Sequence, residues 1–177
     1  MRGWRRGPVT RLHECRIFDL TRVRFEAGAE DPVRDFYVIE SPDWVNIIPV
    51  TEDEQVVLVR QYRFGVGQPG LEVPGGMCDG NEPPLAAAIR EMREETGYEA
   101  REVVPLGWVH PNPAVQNNRC HSFLARGARA VGSPTPDAEE EIEVELVPLT
   151  GIPDLIATGE ITHSLVVAAF HLMALRA

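Results

Sequence analysis

Hydrophobic and polar residues alternate over residues 15–25 and again over 33–40. A period of two belongs to strands with one wet face, and the turn-rich stretch 27–32 between them makes the two an antiparallel pair. Residues 44–50 and 56–62 do not alternate. They are apolar runs rich in Val and Ile, parted by the acidic turn 51–54, and read as a more deeply buried hairpin. The clearest helix covers 83–96, with Pro83 and Pro84 in its first turn and Gly97 just past its end. Strands are expected at 103–109, 119–125 and 142–147, with a loop at 127–138. Helices are expected at 153–158 and 162–175, and a loose tail at 1–10. Strands joined mostly by hairpin-length loops, with few helices, predict an α/β protein whose sheet is mixed or antiparallel with helices packed on it.

Composition narrows the class. The chain has 177 residues, 44% hydrophobic and 25% charged, enough to bury a core without disulfides. The longest apolar run, 165–175, is interrupted by His171 and is too short to span a bilayer, so no membrane role is expected. Cys15, Cys78 and Cys120 are odd in number and far apart, as for free thiols in a reducing cytoplasmic compartment. The formal net charge is −10, and all 17 basic residues are Arg. That balance argues against general nucleic-acid binding. Seven Arg fall between Arg2 and Arg24, and six acids between Asp137 and Glu145.

The chemistry concentrates in residues 75–98. On a helix of 3.6 residues per turn Glu91 and Glu95 stand one above the other, with Arg90 and Glu94 as a second such pair. Leu85, Ile89 and Met92 group on the adjoining arc and are expected to face the core, with Ala87 beneath the carboxylates. Like charges four residues apart destabilise a helix unless a cation relieves them. Carboxylates without a nearby His or thiolate suit a hard ion such as Mg²⁺ or Mn²⁺. A solvated helix with Arg–Glu pairs would need no Gly75-Gly76 turn ahead of it and no Glu82 six residues after Gly76.

The segment resembles the Nudix box, Gly-x5-Glu-x7-Arg-Glu-U-x-Glu-Glu-x-Gly-U with U apolar. Gly76, Glu82, Arg90, Glu91, Met92, Glu94, Glu95 and Gly97 all fall in register; Tyr98 at the last position is unusual. The resemblance implies a Nudix α/β/α sandwich with a mixed sheet over residues 46–177, preceded by a small antiparallel β region over 1–45. It implies metal ligation by Glu91, Glu95 and the Gly75 carbonyl, a further ligand in Glu94 oriented by Arg90, and a loop-supporting Glu82. The flanks 44–49, 58–63 and 71–76, Pro113 and the segment 159–162 are similar to ADP-ribose pyrophosphatase-like members. These hydrolyse the diphosphate of a nucleoside diphosphate sugar to a nucleoside monophosphate and a sugar phosphate. In that branch the N-terminal sheet exchanges across a two-fold, which implies a homodimer with each site built partly from the partner. One departure stands out. After Pro113 comes Ala114-Val115-Gln116, where the branch carries a Gly and then an acid, which points from ADP-ribose itself toward a related substrate.

For the chemistry, Arg63 is a candidate phosphate clamp, because guanidinium binds phosphate oxygens in bidentate fashion. Tyr62 is a candidate stacking group, and Glu72 and Pro113 are further substrate-side candidates. By resemblance a general base comes from Glu139, Glu140 or Glu141, with Glu140 the first choice. The G-x-G-x-x-G at 65–70 is followed by Leu71–Val73 in extended form rather than a helix, so it is read as a loop. His110, His121 and His163 each stand alone in sequence and are read as packed or exposed. Trp44 and Trp108 are expected in the core. Two other functions compete with this one. A nucleotide-binding regulatory Nudix domain is disfavoured by the intact glutamates, and a nucleoside triphosphate housecleaning hydrolase by the long N-terminal region.

Overall fold

The computed structural model describes residues 3–28, 32–135 and 141–176. The chain divides into two compact units, residues 1–42 with 110–119, and residues 43–109 with 120–177.

In the first unit, β1 (Arg5–Glu14), β2 (Asp19–Glu26) and β3 (Arg34–Glu40) form an antiparallel sheet in that order. The expected loose tail is therefore mostly strand. Both faces of β1 are largely exposed, so its sequence shows Arg and Gly where a half-buried strand would show alternation. Arg5–Glu26 and Arg6–Glu40 ion pairs tie the basic N-terminal segment to its neighbours. The 110–119 segment joins this unit through backbone bonding of Ile39 N–H to the Val115 carbonyl at 2.8 Å. Asn118 also donates to the Pro42 carbonyl. Pro113 lies here, exposed, in the turn closed by Gln116 N–H on the Asn112 carbonyl.

The second unit is built on an eight-stranded mixed sheet. Its strands are β4 (Trp44–Thr51), β5 (Gln55–Arg63), β6 (Gln68–Glu72), β7 (Gly75–Met77), β8 (Tyr98–Glu99), β9 (Glu102–Val109), β10 (Cys120–Ala130) and β11 (Ile142–Pro148). Their order is β11-β5-β4-β10-β8, with β6 beside β5, β7 beside β4 and β9 beside β10. Only β4 and β10 run parallel. The expected hairpin of β4 and β5 pairs in register at Val50–Val56, and toward its start β4 pairs with β7 instead, at Trp44, Val45 and Asn46.

The largely apolar sequence of β4, interrupted by Asn46, follows from burial on both faces. Val45 and Ile47 join a core with Ala87, Ala88 and Met92 of α1 (Pro84–Thr96). Ile48 and Val50 join the opposite core, with Ile152 of α2 (Ile152–Ala157) and Val166, Ala169 and Phe170 of α3 (Ser164–Ala174). Helices on both faces of a mixed sheet make the second unit an α/β sandwich. No described helix is long and apolar enough to cross a membrane, and the three cysteines are free thiols, Cys78 and Cys120 buried.

Three expectations need correction. Leu85 and Ile89 are 43% and 40% exposed, so α1 buries its small Ala87–Ala88 pair with Met92, Glu95 and Thr96 instead. The helix sits close to the sheet, and alanine admits that approach where leucine would not. Trp108 is 47% exposed rather than core. The strand expected to stop at 125 runs on to Ala130, since Gly127 (φ +64°) and the shift of register between Arg126 and Ala128 carry it past the glycine.

Candidate functional site

Helix α1 opens on extended Pro83, with proline at its first helical position, and closes on Gly97. Gly97 is left-handed (φ +71°), and its N–H bonds the Arg93 carbonyl at 2.8 Å. A Cβ there would lie 2.3 Å from the Gly132 carbonyl oxygen, so glycine is required both by conformation and by packing. These ends fix which residues face β7.

Gly75 and Gly76 let β7 lie flush against two neighbours. A Cβ on Gly75 would stand 2.2 Å from the Val45 carbonyl oxygen of β4, and one on Gly76 would stand 2.3 Å from Glu91 Oε1. Glu95 is 2% exposed, and its Oε2 accepts the Gly75 N–H at 2.9 Å. Glu91 and Glu95, one turn apart, thus both meet the strand that carries Gly75 and Gly76.

Arg90 organises the rest. Its Nε and Nη2 grip Glu82 at 3.1 and 2.9 Å, and Nη2 also donates to the Met77 carbonyl at 3.2 Å. Nη1 donates to Glu91 at 2.9 Å and to Glu94 at 3.0 Å. All five guanidinium hydrogens have acceptors. Because one nitrogen touches both, the bonded oxygens of Glu91 and Glu94 are at most 2.9 + 3.0 = 5.9 Å apart. The Arg90 hydrogen bonds hold the Glu82 carboxyl below its ordinary pKa against a smaller opposing effect of burial. The same bond to Glu82 pushes the Arg90 pKa up. Glu82 also accepts the Asp79 N–H, while its own N–H bonds the Asp79 carbonyl at 2.7 Å, so the loop before the helix is closed on itself.

A second constellation sits where β5 and β6 meet the start of α3. Arg63 grips Glu72 with Nε and Nη2, each at 2.9 Å, and His163 Nδ1 lies 2.6 Å from Glu72 Oε2. Burial would raise the Glu72 carboxyl, but the hydrogen bonds from His163 and Arg63 outweigh it and hold the pKa at about 2. The Glu72 carboxylate is thus turned inward. Tyr62 stands edge-on to Phe64, with ring centroids 5.2 Å apart, and both are exposed. His163, read from sequence as a lone histidine, belongs to this cluster. Its partner is 91 residues away in sequence, and no local pattern announces the pairing. His121 likewise has a partner, Asp43 Oδ2, at 2.8 Å.

The acidic run is only partly described. Glu139 and Glu140 lie outside the described residues. Glu141 is exposed and immediately precedes Ile142, which pairs with Gln61 on β5, so it falls at the end of the sheet that carries Tyr62 and Arg63. Pro113 belongs to the first unit.

A glycine strand laid on a helix with Arg90 at the hub of three carboxylates, on a mixed sheet sandwiched by helices, defines a Nudix hydrolase. The chain belongs to that family, its residues 41–170 matching the NUDIX domain. It is 31% identical over 161 residues to the ADP-ribose pyrophosphatase of Mycobacterium tuberculosis, covering 89% of this chain and 76% of that protein. It is 30% identical over 153 residues to the CMP-5'-(N-acetyl-N-hydroxy-3-aminopropyl)phosphonate hydrolase of Streptomyces rubellomurinus, covering 86% and 73%. The fold matches a crystal structure described as ADP compounds hydrolase, with a TM-score of 0.83 and 23% identity over 97% of this chain and 92% of that one. The protein is a pyrophosphohydrolase of the ADP-ribose pyrophosphatase-like type.

Nudix hydrolases generally use divalent metal ions, and the residues here fit one. The donors are carboxylates and a backbone carbonyl, all hard oxygens. Glu82, Glu91 and Glu94 outnumber the single guanidinium they share. Glycine at 76 leaves Glu91 its place against β7. Among the described residues no three acidic, His or Cys side chains are grouped so that they could hold a metal ion as they stand, and Arg90 engages Glu91 and Glu94.

Proposed function

We propose that this protein hydrolyses the diphosphate bond of a nucleoside diphosphate sugar or a close analogue, with Mg²⁺ or Mn²⁺, to a nucleoside monophosphate and a sugar phosphate. The observation that carries the reading is that Glu91 and Glu95 lie against Gly76 and Gly75 while Arg90 holds Glu91 and Glu94. The relatives named as acting on ADP-ribose, ADP-sugars and GDP-mannose support this substrate class. The phosphonate hydrolase named for a CMP conjugate supports a broader choice of the second half, in line with the altered residues after Pro113.

In this reading Glu91, Glu95, Glu94 and the Gly75 carbonyl hold the metal. A metal held there would supply charge neutralisation for the diphosphate oxygens and a more acidic water. Arg90 keeps the carboxylates oriented, and Glu82 keeps Arg90 in place. Arg63 clamps the substrate phosphates from the facing side of the sheet end, with Glu72 fixing its direction. Tyr62 supplies an apolar face for the base or sugar. A glutamate of the run Glu139, Glu140, Glu141 takes the proton from the attacking water, with Glu140 the first candidate. The N-terminal β region, residues 1–45, joins two copies into a homodimer, Pro113 is a candidate substrate-binding residue, and the enzyme works in the cytoplasm.

Product analysis with Mg²⁺ tests the proposal. A panel of ADP-ribose, GDP-mannose, UDP-glucose, CMP conjugates, diadenosine polyphosphates and nucleoside triphosphates is incubated with wild type and Glu95→Gln. A nucleoside monophosphate plus the complementary phosphate, absent with the variant, is expected. Turnover of triphosphates alone would overturn the substrate class. Binding with no turnover of any compound would turn the protein into a sensor.

A further inference from the structure

We infer that His163 is a positioning residue which acts on Arg63 through Glu72, and so sets the grip on the substrate phosphates. The inference rests on the clamp reading of Arg63 given above.

Three chain segments converge on one buried carboxylate. Arg63 comes from the end of β5, Glu72 from the end of β6, and His163 from the residue that starts α3. Glu72 is 3% exposed, whereas the side chains of Arg63 and His163 are 42% and 37% exposed. A buried carboxylate thus faces inward and holds two half-exposed bases. The two-pronged bond from Arg63 gives each carboxylate oxygen one donor, and the His163 contact at 2.6 Å is a second donor on Oε2. The contact helps keep the buried carboxylate charged, but charge alone does not require this donor. Burying charges costs several kcal/mol of hydration, and well-packed apolar residues commonly do as well. What the extra donor provides is direction. With Oε2 tied to α3, the carboxylate plane cannot turn, and the Nε–Nη2 edge of Arg63 that lies along it is fixed too.

Two independent features point the same way. Gly70, two residues before Glu72 on the same strand, leaves room for the carboxylate; a Cβ there would stand 3.0 Å from Glu72 Oε1. This is the last glycine of the 65–70 run, in which Gly67 makes the left-handed turn between β5 and β6. The anchor itself is rigid. The His163 carbonyl accepts the N–H groups of Val166 and Val167, and α3 is held to the sheet by Leu165, Val166, Ala169 and Phe170. Motion of Arg63 is thereby referred to the core.

The test uses the full-length protein with the best substrate of the panel above. His163→Ala is expected to raise KM about tenfold, the worth of one charge-assisted hydrogen bond, with kcat within about threefold. His163→Asn, whose side-chain N–H can reach the position of Nδ1, restores most of the loss. Arg63→Ala/His163→Ala is no worse than Arg63→Ala alone. In ¹⁵N-labelled protein the Arg63 Nε–H resonance, assigned by its loss in Arg63→Lys, broadens in His163→Ala and returns in His163→Asn. Equal KM penalties for His163→Ala with and without Arg63 would overturn the inference, as would an unchanged Arg63 resonance. If Arg63→Ala leaves KM unchanged, the clamp itself fails and the inference falls with it. If Arg63→Ala raises KM and His163→Ala does not, the clamp stands and only the role of His163 is lost.

Discussion

Gly75 and Gly76 are chemically identical neighbours, yet the same substitution at each should break different things. An alanine at 75 would place its Cβ 2.2 Å from the Val45 carbonyl oxygen and 2.9 Å from Asn46 Oδ1. The first atom is backbone of the central strand and cannot turn away. Relief requires prising β7 from β4 at the Val45–Gly76 and Asn46–Gly75 pairs. The cost falls at the upper end of overpacking, about 3 kcal/mol, or about 6–12 °C in Tm for a chain of this size. An alanine at 76 meets Glu91 Oε1 at 2.3 Å and Oε2 at 3.0 Å. That carboxylate is the far end of a flexible side chain and can swing aside for about 1 kcal/mol, the scale of an off-rotamer adjustment. A displacement of this kind at a reacting centre costs about 10²-fold in rate. Gly75→Ala should therefore lose stability in urea unfolding. Gly76→Ala should keep most of its stability and lose about 10² in kcat/KM. Equal destabilisation by the two, or a fully active Gly76→Ala, would refute the geometry at β7.

Other outcomes follow from the same structure. The Glu72 carboxyl lies near 2 instead of 4.5, so it contributes stability above pH 4.5 that is lost as pH falls toward 2; the full contribution is about 3 kcal/mol. Urea unfolding from pH 6 to pH 3 should show a steep acid limb in wild type and a flatter one in Glu72→Gln, and equal slopes would remove Glu72 as its source. Mg²⁺ at tenfold its Kd should raise Tm by about 3–6 °C, from about 1.4 kcal/mol of binding. Glu91→Gln and Glu95→Gln should abolish that shift; a shift that survives both would place the ion elsewhere. Single Gln substitutions at Glu139, Glu140 and Glu141 should leave folding intact, with one of them losing ~10²–10⁴ in rate; losses under tenfold at all three would exclude the run as the source of the base. Light scattering at micromolar concentration should return the mass of two chains, and a monomer would count against the exchanged N-terminal sheet.

What the sequence revealed of the site was whatever depends on fixed spacing along one element. Arg90, Glu91, Glu94 and Glu95 share a helix, so their common face follows from 3.6 residues per turn, and Gly97 marks the end of that helix by its left-handed backbone. The inward face was less legible. Leu85 and Ile89 look like core on a helical wheel, but the face turned to the sheet is that of Ala87, Ala88 and Met92. Strands β6 and β7 are short and rich in Gly and Pro, so their β signal is weak even though they frame the site. His163 was illegible for a different reason: its meaning comes from Glu72 across 91 residues, and only the packing of α3 against the sheet brings them together.

The central strand has a further consequence. Ile47 and Ile48 are both fully buried and adjacent in the chain, yet each belongs to a different core. The sheet works as an insulator between them. Trimming Ile47 loosens the layer that carries the glutamate helix, and trimming Ile48 loosens the layer that carries α2 and α3. Covalent neighbours thus pack against different partners, and only the shared backbone of β4 can couple their losses. The layer behind the sheet is not idle, because α3 within it begins beside His163 on Glu72, so trimming Ile48 should be felt near Arg63 and trimming Ile47 at the glutamate helix.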